Sequence, residues 1–406
     1  MSKPPQPNLY LNRRHWLALA ASAVSGCGGG SASTTAGLPG TGGTGYTQGS
    51  ISGFGSVIVN GIKFDDAQAS VNGSIQIDGV TVTSDYLRLG MVAGVQGKRL
   101  ADPALGTASR IEVWSIAQGP VLQVPTVTRS TQRVDGTVAE FAEFTVAGMT
   151  VQTDPNTSFY GVALASVLVP NQVVTVWGLQ AGTDDARWTA TRVEVRSMAP
   201  IDMISTGLVK ASVTGSHRSL NDVMLTGSMA ETLTVGSLLR VQGAWSPASN
   251  SLAMTHTKLL GSGLIAQAPG DDGIEVEIEG FVTDTPTASG FMLGNIVVDA
   301  SAMAPINAQI KKGTRLEVHG TWHSGVLKAA RVKIGSQQAL EQVEIEARIE
   351  QFKSRADFVV RMQRCDATGA AISPSTEAAL KVGVKVKLKG TKAGDVLRVT
   401  ELEIDE

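Results

Sequence analysis

The residues with types and spacing suited to chemistry are few, and each group can be weighed by what its chemistry would need. Gly53-Phe54-Gly55, inside "GSISGFGSVIVNG" at residues 49–61, has the glycines of a phosphate-cradling loop. Such a loop needs backbone N–H groups that converge on phosphate, followed by a helix N-terminus or by a lysine and a hydroxyl. Here Val57-Ile58-Val59-Asn60-Gly61 follows, a short strand ending in a turn dipeptide, so the glycines are read as a hairpin turn. His319 and His323, in "HGTWH", are the most metal-like pair and could meet across a hairpin. Zinc takes three or four ligands, however, and the spacing does not gather them. Asp271-Asp272-Gly273 lacks the spaced acidic ligands of a calcium loop and reads as a linker turn. Cys365 has no placeable histidine partner and reads as a small buried hydrophobe. No G-x-S-x-G elbow and no Ser/His/Asp order is evident. The expectation is therefore no catalytic residue, no metal and no cofactor.

Two surface features remain as binding candidates. Trp245 and Trp322 each sit two residues after a recurring glycine ("GAW", "GTW"), and Trp177 lies just before one. At a shared rim position they would stack on sugars or on a partner protein; the rival reading has them capping a core. Lys385, Lys387 and Lys389 share one strand face, but "ELEIDE" at the C-terminus offsets their charge, so a solvated face with cross-strand pairs is favoured.

The elements that would position these groups follow from bulk composition and pattern. The 406 residues are 42% apolar and only 17% charged, with 45 glycines, a mix that suits many short strands joined by tight turns. A formal net charge of −2 gives no overall pull toward nucleic acid. Two cysteines, Cys27 and Cys365, cannot build a disulfide framework.

The template apolar-x-x-Gly-x-x-apolar-x-apolar-x-Gly recurs at Leu87–Gly97, Leu233–Gly243, Ile310–Gly320 and Leu380–Gly390. It recurs also at Leu168–Gly178, where Asn171, which tolerates positive φ, replaces the first glycine. Alternation before the closing glycine marks a half-buried strand, and a second alternating strand follows each copy. Each repeat also opens with a hairpin; the turn between first and second strands is placed at Gly53-Phe54-Gly55, "EFAE" from Glu140, "TDTPTASG" from Thr283 and "EQFKSRA" from Glu350. The spacing predicts an all-β chain, a tandem array of about five small antiparallel β-barrels of OB-like type. Their bounds are 46–115, 118–197, 204–260, 274–335 and 342–406.

Ahead of the array, Arg13 and Arg14 precede an apolar stretch from Trp16 to Val24, and small residues lead to Cys27. This is the order of an export signal, too short to span a bilayer. Val24-Ser25-Gly26-Cys27 resembles the lipobox of bacterial lipoproteins, which implies a signal peptide over 1–26 and an acylated Cys27. Arg13-Arg14 fits either a twin-arginine or an ordinary signal. Residues 27–45 then form a Gly/Ser-rich tether.

"GSISGFGSVIVNGIKFDDA", with "LRLGMVAGVQG" and "ASRIEV", is similar to the bacterial envelope domain of domain-of-unknown-function family 5666, most closely over residues 46–115. The resemblance implies tandem β domains behind a lipoprotein-type signal and carries no assigned activity. Together these readings predict a non-enzymatic, lipid-anchored envelope protein, held at the outer membrane and facing the periplasm or the cell surface. Its partners would be the membrane, through the lipid, and a glycan or envelope protein. An envelope polysaccharide-processing enzyme and a periplasmic assembly factor are the alternatives.

Overall fold

Each of the five repeats closes into its own ring of strands. The structure, a computed structural model, describes residues 45–132, 138–182, 187–196, 202–211, 217–260, 273–303, 308–335 and 342–405. In the first repeat, strand Gly45–Gly53 turns into Val57–Val59, which pairs antiparallel with Ile62–Asp65. Asn60 (φ 53°) and Gly61 (φ 77°) make the two left-handed residues that this two-residue hairpin requires. Helix Ala67–Val71 and a small hairpin follow, before the antiparallel pair Val92–Arg99 and Leu105–Val113. Val92–Arg99 closes back on Gly45–Gly53, while Leu105–Val113 runs parallel to Ile62–Asp65. The spatial order is thus first, second, third, fifth, fourth and back to first, the OB-type ring.

The other four repeats repeat this order. The second has a first strand broken into Ala117–Pro120 and Thr126–Gln132, then Val138–Val146, Met149–Tyr160, Val173–Gln180 and Trp188–Val195. The third uses Met203–Ala211, Arg218–Leu220, Val223–Thr226, Leu238–Ser246 and Ser251–Leu259. The fourth uses Glu275–Phe281, Gly290–Leu293, Ile296–Asp299, Arg315–His323 and Val326–Ile334. The fifth uses Gln342–Ser354, Asp357–Val360, Gln363–Asp366, Lys385–Ala393 and Val396–Ile404. In every barrel the third and fifth strands are parallel. A ring with an odd number of strands cannot alternate direction all the way round, so one parallel pair is unavoidable in an otherwise antiparallel OB-like barrel.

The repeated template is a set of backbone requirements. Its first glycine is left-handed in every copy, with φ of 79° at Gly90, 87° at Gly236, 86° at Gly313 and 88° at Gly383, and Asn171 takes the same conformation at 66°. Its closing glycine sits at a β-bulge in each fourth strand, where the register shifts at Gly97, Gly178, Gly243, Gly320 and Gly390. A side chain there would collide with the fifth strand: a Cβ would lie 1.9 to 2.5 Å from the carbonyl oxygen of Thr107, Thr189, Ala253, Lys328 or Arg398. Two of the expected turns lie elsewhere: "EFAE" at Glu140 is inside Val138–Val146, the second strand of its barrel, and Glu350 to Ser354 of "EQFKSRA" belong to strand Gln342–Ser354, which leaves the turn at Arg355-Ala356. The helix Pro374–Ala379, too short for a periodic signal, is set by Ser373, whose side chain accepts from the Thr376 amide, and by Pro374 in its first turn.

The five barrels pack on one another, so the described residues fall in one compact unit. Tyr46, Thr47 and Gln48 of the first barrel run parallel to Val276, Glu277 and Ile278 of the fourth. Thr206 Oγ1 of the third donates to the Ile116 carbonyl at the start of the second, 2.7 Å away. One apolar cluster joins the cores of the second, third and fourth barrels; another joins the first and fifth and includes Trp177.

Candidate functional site

A concave surface lies between the fifth barrel and the end of a strand in the second. In the fifth barrel, alternation turns Phe358, Val360 and Cys365 inward, where they are buried, and leaves Gln351, Lys353, Val359 and Arg364 on the outer face of the first three strands. The first-strand end, the second and third strands and the turn at Asp395 therefore make one continuous face, the part of an OB-type barrel that commonly meets ligands. Opposite stand Phe159, Tyr160 and Gly161 at the end of Met149–Tyr160. Phe159 is buried and Tyr160 is half-buried, and both line a cleft of about 340 Å³.

Four charges line this cleft in alternating sign. Lys353 Nζ donates to Asp357 Oδ2 at 3.1 Å, Arg364 Nη2 stands 3.6 Å from Asp357 Oδ1, and Arg364 Nη1 donates to Asp395 Oδ2 at 2.9 Å. The Lys353 hydrogen bond holds the Asp357 carboxyl below the usual carboxylate range, and the Asp395 hydrogen bond pushes the Arg364 guanidinium up. The turn carrying Asp395 is fastened from beneath, since Gln363 Nε2 donates to its carbonyl at 2.6 Å. Lys392, one strand residue away from that turn, ties the two walls together by donating to the Asn156 carbonyl at 2.8 Å and to the Ser158 hydroxyl of the second barrel. The cleft contains no histidine and no exposed thiol, and among the described residues no group of three or more metal-ligating side chains gathers anywhere. Its groups can donate and accept hydrogen bonds and can stack, which is the chemistry of binding.

The residues singled out from sequence fall elsewhere. Trp177 and Trp322 are 2% and 5% exposed, so neither offers a ring face to a ligand. Trp177 does sit on the outer side of its barrel, but the first and fifth barrels cover it; Trp322 joins the core of the fourth. Trp245 is half-buried and packs against the same cluster as Trp322. The rim-stacking expectation is thereby corrected for Trp177 and Trp322, and the core-capping one describes them. His319 and His323 do not face each other across a hairpin. They occupy the single strand Arg315–His323, four residues and roughly 13 Å apart, with His319 opposite Glu277 and Arg331 and His323 opposite Val326. Burial pushes the His319 imidazolium down, with Arg99 adding to the effect.

Cys365 is buried, and burial pushes its thiol well up. Lys385 is paired with Glu346 at 2.6 Å and with Asp405, Lys389 with Glu401 at 2.9 Å, and Lys387 stands 3.7 Å from Glu344, so that face is a set of cross-strand pairs. Gly53-Phe54-Gly55 is a turn whose amide is already taken. Phe54 N donates to Glu344 O at 2.7 Å and Phe54 O accepts from Glu346 N at 2.9 Å, so this turn docks the first barrel on the fifth. Arg13, Arg14, Cys27, Asp271 and Asp272 lie outside the described residues.

The cleft was not found from sequence. Its walls lie about two hundred residues apart along the chain, at 159–161 and 351–395, and the only local signal was the polar outer face of the fifth repeat.

Residues 129–194, which span most of the second barrel and include the Tyr160 wall of the cleft, match the family described as Domain of unknown function (DUF5666). The match falls on the second repeat, whereas the Phe-Gly-Ser run that resembles the family stands in the first. No curated protein and no solved structure matches the chain.

Proposed function

We propose that this chain, which carries a domain of the DUF5666 family, is a non-enzymatic, lipid-anchored protein of the bacterial cell envelope that binds an envelope component in the cleft between its second and fifth barrels. The observation that carries the reading is the cleft itself. It has charged and polar groups on one wall and Tyr160 on the other, and Lys392 cross-braces the two.

Support for the address comes from the N-terminal residues. Arg13-Arg14, the apolar stretch and the small residues before Cys27 have the order of an export signal with an acylation site. The Gly/Ser-rich tether over 27–45 would hold the folded part a short way from the outer membrane, facing the periplasm or the cell surface.

A photo-crosslinking amino acid placed at Gln351, compared in whole cells with the same group at the exposed Leu259 of the third barrel, tests the binding reading. A specific adduct at Gln351 that is missing at Leu259 supports it, and equal labelling at the two positions removes it. Palmitate labelling of the wild type that disappears in Cys27→Ala supports the anchor. Labelling that survives the substitution, or never occurs, refutes it.

A further inference from the structure

We infer that the ligand of this cleft is a neutral saccharide segment, an inference that rests on the cleft being the binding site. The first argument is charge. Lys353 and Arg364 are matched by Asp357 and Asp395, so positive and negative groups are equal in number and alternate along the wall. A phosphate or uronate polymer would meet as much repulsion as attraction there, and nucleic acid needs an excess of lysine and arginine along its track.

The second argument is hydrogen-bonding capacity. A carboxylate has about four acceptor sites, an ammonium three donors and a guanidinium five. The pairs Lys353–Asp357 and Arg364–Asp395 use only part of that capacity, and because Lys353 and Arg364 stand largely in solvent the pairs reorganise readily. A row that alternates donor and acceptor suits adjacent hydroxyl groups, each of which both donates and accepts, and Gln351 adds an amide that does both.

The third argument is the opposite wall. Tyr160 lines the cleft from the second barrel, across from that row, and Val359 and Met362 add apolar surface to the lining. A sugar ring has hydroxyls at its rim and a flat C–H face, and the cleft offers a polar wall for the first and an aromatic one for the second. Phe159 and Phe358 of the two walls are buried, and Lys392 ties the walls together, so the arrangement is formed before a ligand arrives.

The test is titration calorimetry of the chain carrying Cys27→Ala with soluble neutral oligosaccharides built on glucose, mannose and N-acetylglucosamine, alongside oligogalacturonate as the acidic comparator. Saturable binding of a neutral series is expected, weakened about tenfold or more by Tyr160→Ala and by Asp395→Asn while thermal unfolding is unchanged. A preference for oligogalacturonate overturns the inference. Absence of binding by all neutral series, while crosslinks still form at Gln351, overturns the ligand class and leaves the cleft standing. Neutral binding that ignores both substitutions places the saccharide elsewhere and removes the cleft reading as well.

Discussion

Replacing Gly320 by alanine would set a Cβ 1.9 Å from the carbonyl oxygen of Lys328 and 3.1 Å from Cα of Ala329. Both neighbours are backbone, so no side chain can rotate away, and strand Val326–Ile334 must retreat by about 1 Å to restore ordinary contact. That retreat strains a well-packed core by roughly 1 to 3 kcal/mol and costs about two ladder hydrogen bonds of about 1 kcal/mol each, a total of about 3 to 5 kcal/mol. Gly313→Ala is the matched control. Gly313 has φ 86° with no atom within 4 Å of a built Cβ, so its substitution costs only the left-handed penalty of about 1 to 2 kcal/mol. Because the barrels share cores, amide hydrogen exchange within Arg315–Ile334 reads the fourth barrel more directly than a global melt. Gly320→Ala should speed that exchange by about a hundredfold to a few thousandfold, and Gly313→Ala by no more than about thirtyfold. Equal effects from the two substitutions would show that the closing glycine is not a steric requirement.

Gly53→Ala would bring a Cβ to 2.6 Å from the Glu344 carbonyl, so exchange at the Phe54 and Glu346 amides should rise while the fourth barrel is unaffected; protected amides there would refute the docking role of this turn. Burial pushes the Lys258 ammonium, which sits over the Trp114 ring, down to about 8. The folded chain then releases this proton more readily than the unfolded one, so the burial penalty is present below pH about 8 and is relieved as pH rises toward 10.5. The urea midpoint of the wild type relative to Lys258→Met should accordingly move upward through that window, and a difference that stays flat counts against the burial account. Cys365 should resist thiol reagents in the folded Cys27→Ala chain and react only in denaturant; rapid labelling of the native protein would mean the fifth barrel opens.

Legibility in the sequence tracked the range of the interaction. The glycine template was readable because a left-handed residue and a bulge are local backbone demands, met by one residue type wherever they occur, and Asn171 shows the exception that proves to have the same φ region. The outward lysines of the fifth repeat were readable for the same reason, since their cross-strand partners lie on neighbouring strands of the same barrel. Trp177 was half-readable: its place on the outer side of a strand follows from alternation, but its burial depends on the first and fifth barrels. "EFAE" was misplaced because the first strand of the second barrel is broken in two, which shifted the count of strands.

By itself, then, the sequence determined five barrels of one kind, the faces of most strands and the glycine positions of the repeated template, because these rest on contacts within some sixty to eighty residues. The tertiary structure decided what each outer face meets. It turned Gly53-Phe54-Gly55 into a docking turn, covered Trp177, and brought Tyr160 opposite Asp357, Arg364 and Asp395. Such juxtapositions arise from side chains about two hundred positions apart packing in register, and no local pattern of spacing or alternation encodes which barrel will lie against which.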